Sequence, residues 1–253
     1  MRTRSERERT GTYYIEGARI VAQAVQAGAE ITQGVIAPEL IKGTPHSLDT
    51  VQALRSTGAP VAELSPSAFE SISFKENLQG IGAVVRYHSD TLSDIPVEQG
   101  GLWVALDNVG NPGNLGAIMR TCDATGVAGL LLLGETTDPY HPTAIRASMG
   151  SFFALRMIRA GFDEFVQWSR VNGYTVVGTS PTAEKEYNRV SYPEKSVLLM
   201  GSERLGLSLQ QQAACDLLVQ IPMVGTADSL NLGVATSIML YEIFNQHRGT
   251  SRA

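Results

Sequence analysis

Short apolar runs, each followed by a turn rich in glycine, asparagine or proline, alternate with helix-length amphipathic segments from residue 102 to residue 244. Strands that are apolar throughout are buried on both faces, and such strands pair in parallel beneath covering helices. The pattern therefore predicts an α/β domain with a mainly parallel sheet. Its predicted strands are Leu102 to Leu106, Gly129 to Leu133, Tyr174 to Thr179, Val197 to Met200 and Leu217 to Ile221.

The first part of the chain predicts a smaller α/β domain. One helix is expected from Glu16 to Ala27 and is stopped by Gly28. A second helix is expected to begin with Ser47 as its N-cap and to end before Gly58. The predicted strands of this domain are Ile31 to Ile36, Val61 to Leu64 and Ile81 to Tyr87.

A polar, turn-rich stretch from His88 to Gly101 separates the two domains and is typical of a linker. We place the boundary near residue 98. Four of the first ten residues are arginines, and this terminus is expected to be either a solvated, frayed end or an arm that contacts RNA.

The composition excludes several classes of protein. A net charge of -5 argues against non-specific coating of nucleic acid, although local patches rather than totals set the contacts. No apolar run approaches the roughly 18 residues of a membrane helix, and no secretory signal is visible, so we expect a cytoplasmic protein without membrane contact. Cys122 and Cys215 form no cluster with histidine, which predicts neither a disulfide framework nor a metal site; Cys122 is expected in the core.

Three turns carry the candidate functional residues. In the first, NVGNPGNLGAIMRTCDATG (108 to 126), Asn114 stands where a helix N-cap belongs, and Arg120 lies on the same predicted helix. A plain cap for Asn114 and a surface pair between Arg120 and Asp123 are the simpler interpretations. Loops at the strand ends of an α/β sheet are, however, where such folds build ligand sites.

The second turn is LLMGSERLGLS (198 to 208), in which Gly201 and Gly206 flank Glu203. The glycines allow a flat ligand to approach the main chain closely, although Glu203 by itself also fits a solvated turn. The third turn opens IPMVGTADSLNLGVATSIMLYEIF (221 to 244) and presents Ser229 and Asn231 before a helix. Ser229 also fits as a cap, and the apolar stripe of the helix fits core or subunit contact.

Several common catalytic patterns are missing from the sequence. No GxGxxG follows a strand, and GxxxxGK[ST] and GxSxG are absent. Hydride transfer, nucleotide hydrolysis and α/β-hydrolase chemistry are therefore disfavoured.

In their order and spacing the three turns resemble the motifs of the SpoU/TrmH family of RNA ribose 2'-O-methyltransferases. The segment TAIRASMGSFFALRMIR (143 to 159) resembles the stretch between the first and second motifs of that family. YYIEGARIVAQAVQAGAEITQGVIA and FKENLQGIGAVVRY resemble its accessory domain, which is related to a small RNA-binding ribosomal protein. The resemblance spans roughly residues 13 to 245. With the linker boundary and the arginine-rich start, we expect a flexible basic arm (residues 1–12), an RNA substrate-binding domain (13–97) and a methyltransferase domain (98–253).

The same resemblance implies a deep trefoil knot, an obligate homodimer, and S-adenosylmethionine bound in the knotted loops. The sequence departs from the family pattern at Asn111, where Asp is usual, at Arg204, where Gly is common, and at Gly233 and Val234, where small polar residues are frequent. The active-site residues implied are Asn114, Arg120, Glu203, Ser229 and Asn231. The implied S-adenosylmethionine-binding residues are Thr179, Met200, Gly201, Ser202, Gly206, Ile221, Met223, Ser229 and Leu230.

The implied reaction is methyl transfer to a ribose 2'-hydroxyl of structured RNA, with ribosomal RNA as the expected substrate and transfer RNA as the alternative. A catalytically silent RNA-binding assembly factor and a small-molecule-binding α/β protein are the other interpretations. Because a guanidinium stays protonated, Arg120 is expected to bind the phosphate beside the target ribose and to stabilise the developing alkoxide. Asn114 would orient Arg120 or the ribose, and Glu203, Ser229 and Asn231 would fix the loops and the nucleotide.

Overall fold

The computed structural model describes residues 3–74, 77–87, 90–96, 98 and 100–250. The helices are α1 (Arg4–Thr10), α2 (Ala18–Gln26), α3 (Pro45–Ser56), α4 (Pro66–Ile72), α5 (Pro112–Ala124), α6 (Pro142–Ala147), α7 (Phe162–Val171), α8 (Leu209–Ala214) and α9 (Leu232–Thr250). The strands are β1 (Thr12–Glu16), β2 (Ile31–Ile36), β3 (Val61–Glu63), β4 (Ile81–Arg86), β5 (Leu102–Asp107), β6 (Gly129–Leu133), β7 (Arg156–Ala160), β8 (Thr175–Thr179), β9 (Lys185–Glu186), β10 (Ser196–Met200) and β11 (Leu217–Gln220).

The chain forms two compact units. The first comprises Met1–His88 and Tyr140–Ala154, and the second comprises Ser89–Pro139 and Leu155–Ala253. Two units were expected, but the division falls at residue 88 rather than 98, and a segment from the middle of the chain belongs to the first unit. Within the predicted linker, His88, Ser89, Val97 and Gln99 lie outside the described residues.

The first unit contains a four-stranded sheet in the order β1-β4-β2-β3. Strand β4 pairs antiparallel with both β1 and β2, while β2 and β3 are parallel. The sequence TYYIE of β1 was not predicted as a strand, and the helix expected from Glu16 begins only at Ala18, after Gly17. A small core in this unit is built around Phe69 on α4, another element that was not predicted.

The start of α3 corrects the predicted cap. Thr44, not Ser47, is the N-cap, because its hydroxyl accepts a hydrogen bond from the Ser47 amide at 3.3 Å. Pro45 occupies the first helical position, where its missing N–H costs nothing.

The expected flexible arm is instead the helix α1. The Thr3 hydroxyl accepts from the Glu6 amide and the Glu6 carboxylate accepts from the Thr3 amide, which forms a capping box. Gly11, with φ of 63°, ends the helix, and Arg7 is only 4% exposed. Alternating arginines and glutamates favour this helix because opposite charges lie one turn apart, as in the 2.7 Å pair of Arg4 and Glu8. Arg2 lies outside the described residues.

The second unit contains a seven-stranded sheet in the order β7-β6-β5-β10-β8-β11-β9, and every pairing in it is parallel. This confirms the predicted α/β class and the parallel sheet. The five predicted strands are present, and β7 and the two-residue β9 were not predicted. The core contains Trp103, Leu131 and Leu199, and Cys122 is fully buried on α5 as expected.

Among the described residues, no helix is long and apolar enough to cross a membrane. In the same part of the chain, no group of three or more His, Cys, Asp and Glu side chains is arranged to hold a metal ion.

Candidate functional site

The three motif turns leave the same edge of the parallel sheet of the second unit. Strands β5, β10, β8 and β11 are consecutive neighbours, and Met200 at the end of β10 is in register with Leu106 at the end of β5. Because all four strands point the same way, the turns after Asp107, Met200 and Gln220 emerge at the same edge, with β8 between the strands of the second and third turns. This is the edge at which α/β sheets bind ligands.

Asn114 lies at the centre of a hydrogen-bond network that joins the three turns. Its side-chain Nδ2 donates to Glu203 Oε1 at 2.5 Å, and its Oδ1 accepts from Asn231 Nδ2 at 3.1 Å. These residues are 89 and 117 positions from Asn114 in the sequence, so the fold alone brings them together. Both ends of the Asn114 amide are engaged, which fixes the orientation of this side chain.

Neither Asn114 nor Ser229 serves as a helix cap. The N-cap of α5 is Asn111, whose Oδ1 accepts from the Gly113 amide at 2.7 Å and the Asn114 amide at 3.3 Å. An aspartate carboxylate at this position accepts the same bonds, so the departure from the family pattern preserves the turn.

The start of α9 is capped by Asn231. Its Oδ1 accepts from the Gly233 amide at 2.9 Å and the Val234 amide at 3.3 Å. Asn231 therefore caps α9 and holds Asn114 at the same time. Among the residues that the structure describes, the exposed Ser229 makes one long contact, of 3.4 Å, with Asp228.

Arg120 stands apart from this network. Arg120 is six residues after Asn114 on α5, so it lies about 9 Å further along the helix axis and about 120° round the helix. Its side chain is exposed, and within the described part of the chain no ion pair with Asp123 forms. The expected contact with Asn114 is thus not made within one chain.

The second turn is a tight loop that only glycine can close. Ser202 and Gly206 exchange backbone hydrogen bonds of 3.1 and 3.0 Å. A Cβ atom on Gly201 would lie 2.2 Å from the Gly206 carbonyl carbon, a distance that real contacts do not reach. Gly201 is therefore required by the close approach of two main-chain segments directly after β10.

The other residues implied for S-adenosylmethionine lie in two groups. Thr179 and Met200 end the neighbouring strands β8 and β10, and the Thr179 hydroxyl lies 3.8 Å from the Met200 sulfur. Ile221 follows β11 at the same edge. Met223 and Leu230 lie in the exposed loop between β11 and α9, and each is 37% exposed.

Sequence reasoning gave no role to Asp107, which lies in a cleft beside Glu203. Asp107 is 4% exposed and accepts hydrogen bonds at Oδ2 from Asn108 and Gln211, each of 2.6 Å. Asn108 adopts a positive φ of 54°, an uncommon conformation that is often found at functional sites. The aspartate after an apolar strand was the available signal; the contact with Gln211, 104 residues away, had none.

A parallel sheet whose carboxyl-edge turns share an amide and carboxylate network defines a ligand-binding α/β protein of the kind that supports catalysis. Residues 101–241 match the model of the SpoU rRNA Methylase family, and residues 1–83 match that of the MRM3-like substrate binding domain. The chain therefore belongs to the SpoU rRNA Methylase family.

Several known proteins are similar to this chain over nearly its whole length. A 23S rRNA (uridine(2479)-2'-O)-methyltransferase of Streptomyces viridochromogenes is 32% identical, with 96% of this chain and 86% of the relative covered. A 23S rRNA (guanosine(2553)-2'-O)-methyltransferase of Bacillus subtilis is 28% identical, with 96% and 92% covered. The crystal structure of an AdoMet-bound rRNA methyltransferase from Sinorhizobium meliloti superposes with a TM-score of 0.85 at 35% identity, covering 97% of this chain and 91% of that one.

Proposed function

We propose that the protein transfers a methyl group from S-adenosylmethionine to a ribose 2'-hydroxyl of ribosomal RNA. The observation that carries this proposal is the network in which Glu203 and Asn231 hold Asn114 where three turns meet, in a chain of the SpoU family. Asn114, Glu203 and Asn231 each come from a different motif turn, so one hydrogen-bond network joins all three turns.

The residues at the sheet edge fit S-adenosylmethionine. Ile221 offers a partly exposed apolar side chain, and Gly201, buried directly after Met200, lets two main-chain segments of the second turn approach closely. When bound, the cofactor supplies a methyl group on a sulfonium, which is an excellent leaving group. Much of the catalytic task is then positioning, which contributes about 7 kcal/mol or more in well-aligned systems.

The network suggests a division of roles. Glu203 and Asn231 orient Asn114, and Asn231 also anchors it to the start of α9. We propose that Asn114 and Glu203 line the ribose site, while Arg120 binds the adjacent phosphate and stabilises the charge that develops on the 2'-oxygen.

Because Arg120 lies on a different side of α5 from Asn114, we propose that the protein is a homodimer in which one subunit supplies Arg120 to the Asn114 of the other. Val234 and Tyr241 on α9 support such an interface. They are 48% and 47% exposed and lie seven residues apart, on one face of the helix. Helix α5 packs on the same helix, with Thr121 and Ser237 hydroxyls 2.8 Å apart.

Mixed dimers test this arrangement. Arg120→Ala and Asn114→Ala are each expected to be inactive when assayed separately. If the two residues act across the interface, a heterodimer of the variants has one intact site, and an equimolar re-assembled mixture regains about a quarter of wild-type activity. Absence of recovery in a mixture shown to contain heterodimers would contradict a shared site.

Ribosomal RNA is favoured over transfer RNA because the first part of the chain matches a substrate-binding domain and the two relatives described above are named as 23S rRNA methyltransferases. The test is transfer of labelled methyl to ribosomal and transfer RNA isolated from cells that lack the gene. Label in a 2'-O-methylnucleoside of ribosomal RNA is expected. Label in transfer RNA alone supports the alternative substrate. A protein that binds RNA but does not bind S-adenosylmethionine supports a silent assembly factor.

We also propose that the second unit is a deep trefoil knot and that the protein works in the cytoplasm. The support for the knot is family membership together with the packing of the last helix, α9, against α5. An experimental backbone trace in which α9 passes through no loop would contradict it. The support for the location is the proposed substrate, and a fluorescent fusion tests it.

A further inference from the structure

A pocket of about 440 Å³ opens in the first unit, within the volume range of about 300–1,000 Å³ that is usual for ligand sites. Strand β1 contributes Tyr14, helix α2 contributes Gln23, and α6 with the turn after it contributes Ile145 and Met149. We call it the first-unit pocket. None of the described residues that line it belongs to the second unit, so it is distinct from the site at the sheet edge.

Two polar atoms of this pocket's lining residues are buried without a hydrogen-bond partner among the described residues: the Tyr14 hydroxyl and Gln23 Oε1. Tyr14 is 8% exposed, and burial raises the pKa of its phenol, which therefore keeps its proton and remains a donor. Gln23 Nε2 donates to the Met149 carbonyl at 2.8 Å, which leaves Oε1 as the free acceptor. Buried unpaired donors and acceptors are costly and rare, and a ligand is one way to satisfy them.

The turn that holds Gln23 is in an unusual conformation. Met149 has φ of 54°, although it is not a glycine, and its side chain is 38% exposed. Gly150 follows with φ of 102°, and a Cβ atom there would lie 2.2 Å from the Gln23 side chain. Strain of this kind persists where the surrounding structure fixes it, often at binding sites. The turn thus holds Gln23 through the Met149 carbonyl, and both residues line the pocket.

The charged rim of the pocket suits a phosphate backbone. Arg19 and Arg146 line it and are exposed, with no ion pair in the described part of the chain. Among the described residues that line the pocket, the one carboxylate is that of Glu16, which is 6% exposed and accepts from the Ser73 hydroxyl at 2.7 Å and the Phe74 amide at 3.0 Å. The acid is thus engaged in the structure, while the two guanidinium groups face solvent.

We infer that the first-unit pocket binds one unstacked nucleotide of the RNA substrate, with the base between its apolar walls and the flanking phosphates on Arg19 and Arg146. This rests on the proposed function, because it takes RNA as the substrate. A base has two apolar faces and an edge of donors and acceptors, which matches apolar Ile145 and Met149 beside an unpaired donor and acceptor. Such a contact anchors the substrate-binding unit at a bulge or loop.

The experiment uses the full chain and two fluorescein-labelled RNA hairpins that differ only in a one-nucleotide bulge, with affinity measured by fluorescence anisotropy. The wild type is expected to bind the bulged hairpin about tenfold more tightly. Tyr14→Phe removes only the unpaired hydroxyl, so it should weaken binding of the bulged hairpin by about two- to tenfold without lowering the melting temperature.

Arginine variants test the rim. Arg19→Ala and Arg146→Ala are expected to weaken binding of both hairpins and to reduce the slope of log affinity against log salt by about one each. Arg86→Ala is the matched control, since Arg86 belongs to the same unit but pairs with Glu30 at 2.6 Å and does not line the pocket. An equal loss in the control would overturn the assignment of the phosphates to Arg19 and Arg146.

Calorimetric titration with S-adenosylmethionine separates this inference from the proposed function. Pocket variants that bind S-adenosylmethionine normally but lose the preference for the bulge support the inference. If the wild type shows no preference, or Tyr14→Phe retains the full preference, the pocket does not hold a nucleotide, whatever the methylation assay gives. Failure of the wild type to bind S-adenosylmethionine contradicts the proposed function. The hairpin comparison still decides whether the first-unit pocket binds a nucleotide.

Discussion

Asn231 combines a structural bond and a positioning bond in one side chain, and two substitutions separate them. Asn231→Ala removes the cap of α9 and the bond to Asn114 together. Asn231→Asp keeps an oxygen that caps the helix and adds a favourable charge at its N-terminus, but it cannot donate to Asn114 Oδ1. Of these two bonds, only the bond from Asn231 to Asn114 bears on the reaction.

The expected magnitudes follow from these contacts. Loss of the cap lowers the free energy of unfolding by about 1 kcal/mol, equivalent to about 2–4 °C in melting temperature for a chain of this size. Asn231→Ala should show that loss, whereas Asn231→Asp should melt at or above the wild-type temperature. Release of Asn114 misplaces a group of the proposed site, and a displacement of about 1 Å costs about 100-fold in rate. Both variants should lose activity on that scale.

Thermal unfolding by circular dichroism and single-turnover methylation measure the two effects. Ser65→Ala is a matched control: the Ser65 hydroxyl caps α4 by accepting from the Ala68 amide at 3.3 Å and lies in the other unit. It should lose stability and keep its rate. Should Asn231→Asp remain fully active, or should rate and stability fall in parallel across all three variants, the positioning role is wrong.

Three further outcomes are expected. Gly201→Ala places a Cβ 2.2 Å from the facing main chain and should weaken S-adenosylmethionine binding at least about tenfold by calorimetry, whereas Gly225→Ala, with open space around it, should not; equal affinities would contradict the proposed cofactor turn. Asn111→Asp should keep the α5 cap and raise the free energy of unfolding by about 0.3–1 kcal/mol in urea titration; a destabilised variant would contradict the capping geometry. Burial raises the pKa of Cys215 to about 12 and that of Cys122 further, so both thiols should react slowly with a disulfide reagent at pH 8 and rapidly in urea. The unfolded thiols ionise near pH ~8.5, whereas the folded thiols stay neutral, so the two thiols contribute fully to the free energy of unfolding below that pH and contribute less as pH rises towards the folded pKa values. Rapid reaction of the native protein would contradict their burial.

The parallel sheet was predictable because strands such as Gly129–Leu133 are apolar throughout and are bounded by turns. Strands that lack this pattern were missed, including the two-residue β9 and the edge strand β7, whose five residues include Arg156 and Arg159. Helix starts were misplaced where two cap residues stand three apart, as with Thr44 and Ser47. In such cases the proline after the first candidate identifies the true cap.

The site was predicted as a set of residues but not as a geometry. That Asn114 contacts Glu203 and Asn231, and that Arg120 contacts neither, depends on long-range packing and helical phase. The bond from Gln211 to Asp107 is equally long-range. The membership of Tyr140–Ala154 in the first unit is a tertiary fact for which local sequence has no signal.

The most direct test of methyl transfer to the 2'-hydroxyl is a single-atom change in the RNA. Once the methylated nucleotide is mapped in ribosomal RNA, a synthetic fragment containing it is compared with a fragment that has a 2'-deoxyribose at that one position. Methyl incorporation is expected into the first fragment, recovered as a 2'-O-methylnucleoside, and none into the second. Methyl incorporation into the deoxy fragment, or its recovery on a base, would contradict transfer to the 2'-hydroxyl.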